Sequence, residues 1–183
     1  RARRAVAGHR RLDPAEGWRA AALIAGAPRA PTLAAMPADP RPGTWVILPT
    51  YNEAENLPGI AAAILAELPA ATLLVVDDGS PDGTGRLADT LAAADERIRV
   101  RHRPSKQGLG RAYLDGFQVA LDGGADLLVQ MDADWSHDPA SLPGLVGPVS
   151  ASEADLVIGS RYVAGGGVVD WGLARRVISR GGS

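Results

Sequence analysis

From residue 44 onward, short apolar runs alternate with segments whose apolar residues have helical spacing. Runs typical of buried strands occupy residues 44–48, 72–76, 98–102, 125–131 and 155–158, and Pro49 closes the first. The intervening spacing predicts helices over 56–68, 82–94 and 108–121, and Asp138-Pro139 is a typical start for a further helix. Continuous apolar strands that are each followed by a helix predict an α/β fold, with a mostly parallel, doubly wound sheet and helices on both faces.

Polar residues stand directly after three of these predicted strands. Residues 49–53 follow the first strand, Asp77 and Asp78 follow the second, and Asp132 and Asp134 follow the fourth. In parallel sheets, ligands bind outside the carboxyl ends of the strands, where the strand order reverses. We therefore expect these three clusters to line one site.

The first 42 residues differ in composition from the remainder. Residues 1–40 hold seven arginines and three acidic residues, a net charge of +4, whereas the rest carries −6. Five prolines between residues 28 and 42 disfavour regular structure. We interpret residues 1–42 as a basic, Pro/Ala-rich, disordered leader or linker, and residues 43–183 as the folded domain.

Composition excludes several classes of protein. The chain has no cysteine, which excludes a disulfide framework and a cysteine-ligated zinc site. No apolar run approaches the roughly 18 residues of a membrane-spanning helix. The formal net charge of −2 gives no electrostatic reason to expect a nucleic-acid partner.

The loop after the first strand restricts the nucleotide chemistry. It contains neither a G-x-G-x-x-G turn nor a Walker A loop, and its acidic residues would repel a bare diphosphate. A sugar nucleotide fits better if a divalent cation is present, because Asp132 and Asp134 can both bind one hard cation through oxygen. Such a cation also stabilises charge on a leaving diphosphate. The alternative for this acidic pair is turn capping.

Five further positions each allow two interpretations. Asp77 or Asp78 either caps a turn or accepts a hydrogen bond from a ribose hydroxyl or base N–H. Tyr51 either stacks on a base or packs against the protein, and Lys106 either contacts phosphate or is solvated. His137, beside the acidic pair, is either a base or structural.

Six ordered motifs within residues 45–181 closely resemble the dolichol- or polyprenol-phosphate mannosyltransferases of glycosyltransferase family 2. They are PTYNEAENLP at 49–58, VVDDGSPDGT at 75–84, KQGLGRAY at 106–113, MDADWSHDP at 131–139, GSRYVAGGGV at 159–168 and WGLARRVISRG at 171–181. The resemblance implies a GT-A fold, here truncated at its C-terminus. It also implies inverting transfer of mannose from GDP-mannose to a polyprenyl phosphate, with Mg²⁺ or Mn²⁺ as cofactor.

The resemblance also implies roles for individual residues. The donor would contact Pro49, Tyr51, Glu53, Val76, Asp78, Lys106, Asp132, Ala133 and Asp134. Of these, Asp132 and Asp134 would be the catalytic pair that binds the metal. Ser136 stands where some relatives place a glutamine metal ligand, and it would be a weaker one. Arg161 and Arg175 would meet the acceptor phosphate or the donor diphosphate.

The same resemblance implies a cytoplasmic protein, peripheral at the inner face of the cell membrane. Contact with the membrane would come from a C-terminal part that relatives have beyond these 183 residues. Some bacterial relatives are fused to a membrane enzyme, which the basic, proline-rich start would suit as a linker. Two alternatives are another family 2 enzyme, such as a UDP-glucose-dependent polyprenyl-phosphate glucosyltransferase, and a non-catalytic nucleotide-binding fragment of a larger protein.

Overall fold

The computed structural model describes residues 19–21 and 43–160. Its strands are β1 (Arg19–Ala21), β2 (Thr44–Thr50), β3 (Thr72–Asp77), β4 (Ile98–His102), β5 (Leu127–Gln130) and β6 (Ile158–Ser160). Its helices are α1 (Leu57–Glu67), α2 (Thr84–Ala94), α3 (Leu109–Asp122) and α4 (Leu142–Ser150), the last preceded by a 3-10 turn at Pro139–Ser141. Within these residues, no helix is long and apolar enough to cross a membrane.

Strands β2 to β5 form one parallel sheet in the order β4-β3-β2-β5. The chain proceeds outward from β2 through β3 to β4, and it then returns to the other side of β2 to form β5. The strand order therefore reverses between β2 and β5. In parallel sheets this is where a ligand crevice opens, at the carboxyl ends of the strands.

Successive side chains of β2 and β3 point to opposite faces of the sheet, and both faces are buried. On one face, Val46, Leu48, Leu73 and Val75 pack with apolar residues of α1, α2 and α4. On the other, Trp45, Ile47, Leu74 and Val76 pack under α3. This arrangement confirms the prediction of a parallel α/β sheet with helices on both faces.

Aspartate side chains accept backbone N–H groups at two helix starts, one of them the start predicted at Asp138-Pro139. The Asp82 carboxylate accepts the backbone N–H of Thr84 at 3.0 Å, at the start of α2. The Asp138 carboxylate accepts the backbone N–H of Ala140 at 3.0 Å, at the start of the 3-10 turn. Each side chain satisfies one of the N–H groups that a helix start leaves without an intrahelical partner.

Two strand predictions need correction. The run at 155–158 is not a fifth strand of the parallel sheet, because β6 begins at Ile158 and pairs antiparallel with β1. An apolar run predicts extended backbone but does not identify the partner strand. The first strand does not end before Pro49 but continues to Thr50. A proline is tolerated there because β5 pairs with β2 only as far as Ile47.

The predicted leader, residues 1–42, falls almost entirely outside the described residues. Its described part is β1, whose Arg19 pairs with Ser160 and whose Ala21 pairs with Ile158. The interpretation of residues 1–42 as a disordered leader stays a prediction.

Gly116 of α3 lies directly against β2, so adding a side chain at this position tests the packing of the helix on the sheet. A Cβ added there would lie 2.5 Å from Ile47 Cγ2 and 3.1 Å from Val76 Cγ2, both fully buried. We expect Gly116→Ala to lower the free energy of unfolding by about 1–3 kcal/mol, because the core must shift. Gly110→Ala in the same helix is the control, since a Cβ there meets no atom within 4 Å. Urea unfolding that shows equal stability for the two variants would contradict this packing.

Candidate functional site

A cavity of about 270 Å³ opens where β2 and β5 end. The loops that follow β2, β3 and β5 contribute to its wall, as do residues around the start of α3. It is lined by Pro49, Thr50, Tyr51, Glu53, Asp78, Lys106, Leu109, Ala112, Asp132, Ala133 and Asp134. The reversal of strand order thus brings together side chains that are far apart in the sequence.

Eight of the nine positions predicted to contact a donor line this cavity. Val76 is the exception, because its fully buried side chain packs in the core beneath α3. Ser136 lies beside the acidic pair but does not line the cavity. Arg161 and Arg175 lie outside the described residues, so their predicted roles stay predictions.

Hydrogen bonds from backbone N–H groups fix the loop after β2 against side chains at the start of α2 and in the loop before it. The N–H of Asn52 donates to Ser80 Oγ at 3.0 Å, and the N–H of Glu53 donates to Thr84 Oγ1 at 2.9 Å. The N–H of Ala54 donates to Asp82 Oδ2 at 3.1 Å. The loop that carries Tyr51 is therefore held in shape by hydrogen bonds within the chain.

Asp77 has a structural role. Its buried carboxylate accepts Thr50 Oγ1 at 3.3 Å, and it accepts both the backbone N–H and the hydroxyl of Ser80, at 3.2 and 2.5 Å. These bonds close the turn after β3, which favours the turn-capping interpretation for Asp77. They leave Asp78 as the carboxylate of this pair that lines the cavity.

Asp78 forms a buried ion pair with Arg103, a residue that the sequence analysis did not identify. Both side chains are 7% exposed. Arg103 Nε also lies 3.6 Å from Asp115 Oδ2, and the Arg103 backbone N–H donates to the Asp77 carbonyl at 2.8 Å. A buried carboxylate needs an opposite charge beside it. Arg103 supplies that charge and fixes Asp78 at the cavity wall.

Tyr51 and Lys106 contact each other at this cavity. Lys106 Nζ lies 4.1 Å from the centroid of the Tyr51 ring. A cation at this distance is attracted by the face of the ring. Tyr51, which is predicted to stack on a base, therefore lies next to Lys106, which is predicted to contact phosphate.

The Asp132 carboxylate and backbone are each held by one side chain. Its Oδ1 accepts the hydroxyl of Tyr113 at 2.8 Å, and its backbone N–H donates to His137 Nδ1 at 3.2 Å. Because a backbone N–H can only donate, His137 carries its ring proton on Nε2, which lies 4.0 Å from Asp132 Oδ2. This contact favours the structural interpretation of His137. Burial, aided by the hydrogen bond to Asp132, raises the pKa of Tyr113 well above its usual value, so the hydroxyl remains a donor.

Asp134 is held within its own turn. Its Oδ1 accepts the backbone N–H of Ser136 at 2.9 Å, across Trp135, whose φ of 61° is left-handed. Burial acts to raise the pKa of Asp134, but the hydrogen bonds from Ser136 act against it, and the net effect is a lowered pKa. Asp134 is therefore an anion at neutral pH, as a metal ligand must be.

The donor set of the acidic pair suits a hard divalent cation. Two carboxylates offer the oxygen ligands that Mg²⁺ and Mn²⁺ prefer. Among residues 43–160, no cluster of three or more His, Asp or Glu side chains could hold a metal ion. A metal bound at Asp132 and Asp134 would therefore need further ligands beyond the carboxylates and imidazoles of residues 43–160. Ser136 supports Asp134, and its role as a weak ligand stays a prediction.

Most of the chain is similar in sequence to known proteins. Residues 45–182 match the sequence model of glycosyl transferase family 2. A polyprenol monophosphomannose synthase from Mycolicibacterium smegmatis is 56% identical over 79% of this chain and 55% of its own length. An undecaprenyl-phosphate mannosyltransferase from Micrococcus luteus is 53% identical over 75% of this chain and 56% of its own. The chain therefore spans about half the length of these curated relatives.

One solved structure that aligns with the chain is a mannosyltransferase from Pyrobaculum calidifontis in complex with GDP-Man and Mn²⁺. The alignment covers 62% of this chain and 36% of that one, with 26% identity and a TM-score of 0.45.

Proposed function

Because this chain belongs to glycosyl transferase family 2, we propose that it forms the donor-binding part of an enzyme that transfers mannose from GDP-mannose to a polyprenyl phosphate. One observation supports the proposal most strongly. A single cavity joins the acidic pair to Tyr51, Asp78 and Lys106, at the point where the strand order reverses. The names of the two curated relatives, a polyprenol monophosphomannose synthase and an undecaprenyl-phosphate mannosyltransferase, support mannose as the sugar and a polyprenyl phosphate as the acceptor.

The nucleoside would bind between the loops that follow β2 and β3. The ring of Tyr51 provides a face for stacking, and Asp78, fixed by Arg103, accepts hydrogen bonds from a base N–H or a ribose hydroxyl. Lys106 would exchange its contact with the Tyr51 ring for the donor diphosphate, to which a mobile ammonium group is well suited.

Asp132 and Asp134 would hold the divalent cation. Once bound, Mg²⁺ or Mn²⁺ neutralises the diphosphate and stabilises the charge that it gains as the leaving group. Tyr113 and Ser136 keep the two carboxylates in place through the hydrogen bonds already described.

The acceptor phosphate would act as the nucleophile. A phosphate monoester is largely ionised at neutral pH, so its oxygen can bond to C1 of mannose without a general base. The bond from C1 to the diphosphate breaks at the same time, GDP leaves, and the configuration at C1 inverts. His137 Nδ1 accepts the backbone N–H of Asp132, so this nitrogen does not act as a general base. This agrees with a reaction that needs none.

Acceptor binding would require positive charge and a membrane. We assign Arg161 and Arg175 to the acceptor phosphate or the donor diphosphate, as the motifs imply. The polyprenyl chain places the reaction at a membrane surface, and we assign the whole protein to the cytoplasmic face.

Donor preference can be tested by titration calorimetry of the whole protein with Mn²⁺. We expect GDP and GDP-mannose to bind more tightly than UDP-glucose, and Tyr51→Ala to weaken GDP binding by about 10-fold through lost stacking. Leu114→Ala, at a residue that is 67% exposed on α3, is the control and should leave the affinity unchanged. Tighter binding of UDP-glucose would instead support a glucosyltransferase. Nucleotide binding with no transfer by the whole protein would indicate the non-catalytic alternative.

A further inference from the structure

We propose that Tyr113 is a positioning residue for Asp132. Its hydroxyl fixes the Asp132 carboxylate in the orientation that binds a divalent cation. This inference rests on the proposed function, because it concerns the metal that Asp132 and Asp134 would hold. It assigns Tyr113 a role distinct from its packing in the core.

The Tyr113 ring is largely buried in the core. It lies on the first turns of α3, is 9% exposed, and belongs to the core cluster that contains Ile47 and Val76. Its centroid lies 6.1 Å from that of Phe117 in a tilted arrangement. The ring packs in this cluster with one side on a second, larger cavity, and its hydroxyl lies beside the acidic loop.

The hydroxyl meets a carboxylate that has room to move. The Asp132 side chain is 34% exposed. It lies between the 270 Å³ cavity and a mainly apolar cavity of about 750 Å³. The hydroxyl of Tyr113 donates to Oδ1 at 2.8 Å, the usual length of an O–H···O hydrogen bond.

The two carboxylates of the pair are anchored differently. Asp134 is held by Ser136 in the same turn, whereas Asp132 depends on α3, a separate element, for the position of its side chain. His137 accepts the backbone N–H of Asp132, and its Nε2 lies 4.0 Å from the carboxylate Oδ2, beyond hydrogen-bond distance, whereas the Tyr113 hydroxyl bonds the carboxylate directly. Tyr113 therefore sets the geometry between the two metal-binding groups.

The test measures Mn²⁺ binding directly. Electron paramagnetic resonance detects the bound ion in the whole protein, with GDP present and without turnover. Tyr113→Phe retains the ring and removes only the hydroxyl. We expect it to weaken Mn²⁺ binding by roughly 10- to 100-fold, the usual range when a group that orients a metal ligand is lost. Without metal, its unfolding midpoint should stay within a few degrees of that of the unmodified protein.

Two further variants separate the possible failures. Leu91→Ala removes packing on the opposite face of the sheet from Tyr113, so it should lower stability while retaining Mn²⁺ affinity. If Tyr113→Phe binds Mn²⁺ as tightly as the unmodified protein, or if Leu91→Ala weakens binding equally, the positioning role is wrong. If Asp132→Ala binds Mn²⁺ with unchanged affinity, the proposed metal site itself is wrong.

Discussion

Asp134→Ala is expected to reduce kcat/KM for mannose transfer by roughly 1000-fold or more while leaving the fold intact. The substitution removes one of two carboxylates proposed to bind the cation, so the diphosphate would lose most of its charge compensation. Asp134 lies on the cavity wall and bonds mainly within its own turn, so the sheet does not depend on it. Initial rates at saturating Mn²⁺, together with the circular dichroism spectrum, measure both effects.

Asp122→Ala is the matched control for that experiment. Asp122 also carries a carboxylate, but it lies exposed at the end of α3, where it accepts Gln118 Nε2 at 2.8 Å. We expect unchanged transfer for this variant. Full activity of the Asp134→Ala variant would show that the assignment of Asp134 as a metal ligand is wrong.

Arg103→Met is expected to lower the free energy of unfolding by about 3–5 kcal/mol, because it leaves Asp78 buried without its partner. It should also weaken nucleotide binding, since Asp78 would lose its fixed position. Adding Asp78→Asn to Arg103→Met removes the uncompensated charge and should recover part of the lost stability. Urea unfolding of the single and double variants measures these differences.

Arg101→Met is the control for the buried pair. Arg101 also binds a carboxylate, with its Nε 3.0 Å from Asp115 Oδ2, but its side chain is 49% exposed. Exposed ion pairs contribute about 1 kcal/mol or less, so this variant should unfold almost like the unmodified protein. Equal destabilisation by the two substitutions would contradict the assignment of Asp78 and Arg103 as a structurally essential pair.

Most of the sheet could be predicted because its strands carry their signal locally. The run at 98–102 became β4 with the same bounds, and the run at 72–76 became β3 with one more residue. In contrast, the run at 155–158 does not itself indicate which strand it pairs with. Strand pairing depends on residues far away in the sequence, and β6 joins β1 outside the parallel sheet.

The residues of the candidate site could be predicted where they lie in a loop directly after a strand. The residues on other elements that hold them in place could not be predicted. Tyr51, Asp78, Asp132 and Asp134 all follow strands, whose carboxyl ends meet at one edge of the sheet. Arg103 follows the two arginines of β4, which resemble a solvated face, so nothing in the sequence marked it as buried. Tyr113 has the spacing of a core residue in α3, and that pattern does not reveal a hydroxyl bonded to Asp132.

The distribution of charge agrees with a metal-dependent site. The part of the chain beyond residue 40 carries a net charge of −6, and the cavity wall includes Glu53, Asp132 and Asp134 against Lys106, while the charge of Asp78 is compensated by Arg103. A dianionic donor would be repelled by this wall without a cation. Metal dependence is therefore the property on which the whole account depends.

Transfer of labelled mannose from GDP-mannose to polyprenyl phosphate by the whole protein tests this account most directly, with and without EDTA. We predict labelled lipid in the presence of Mg²⁺ or Mn²⁺, loss of transfer with EDTA, and recovery when excess metal is restored. Undiminished transfer in EDTA would contradict the metal-dependent mechanism, and failure to label the lipid under any metal condition would contradict the proposed reaction.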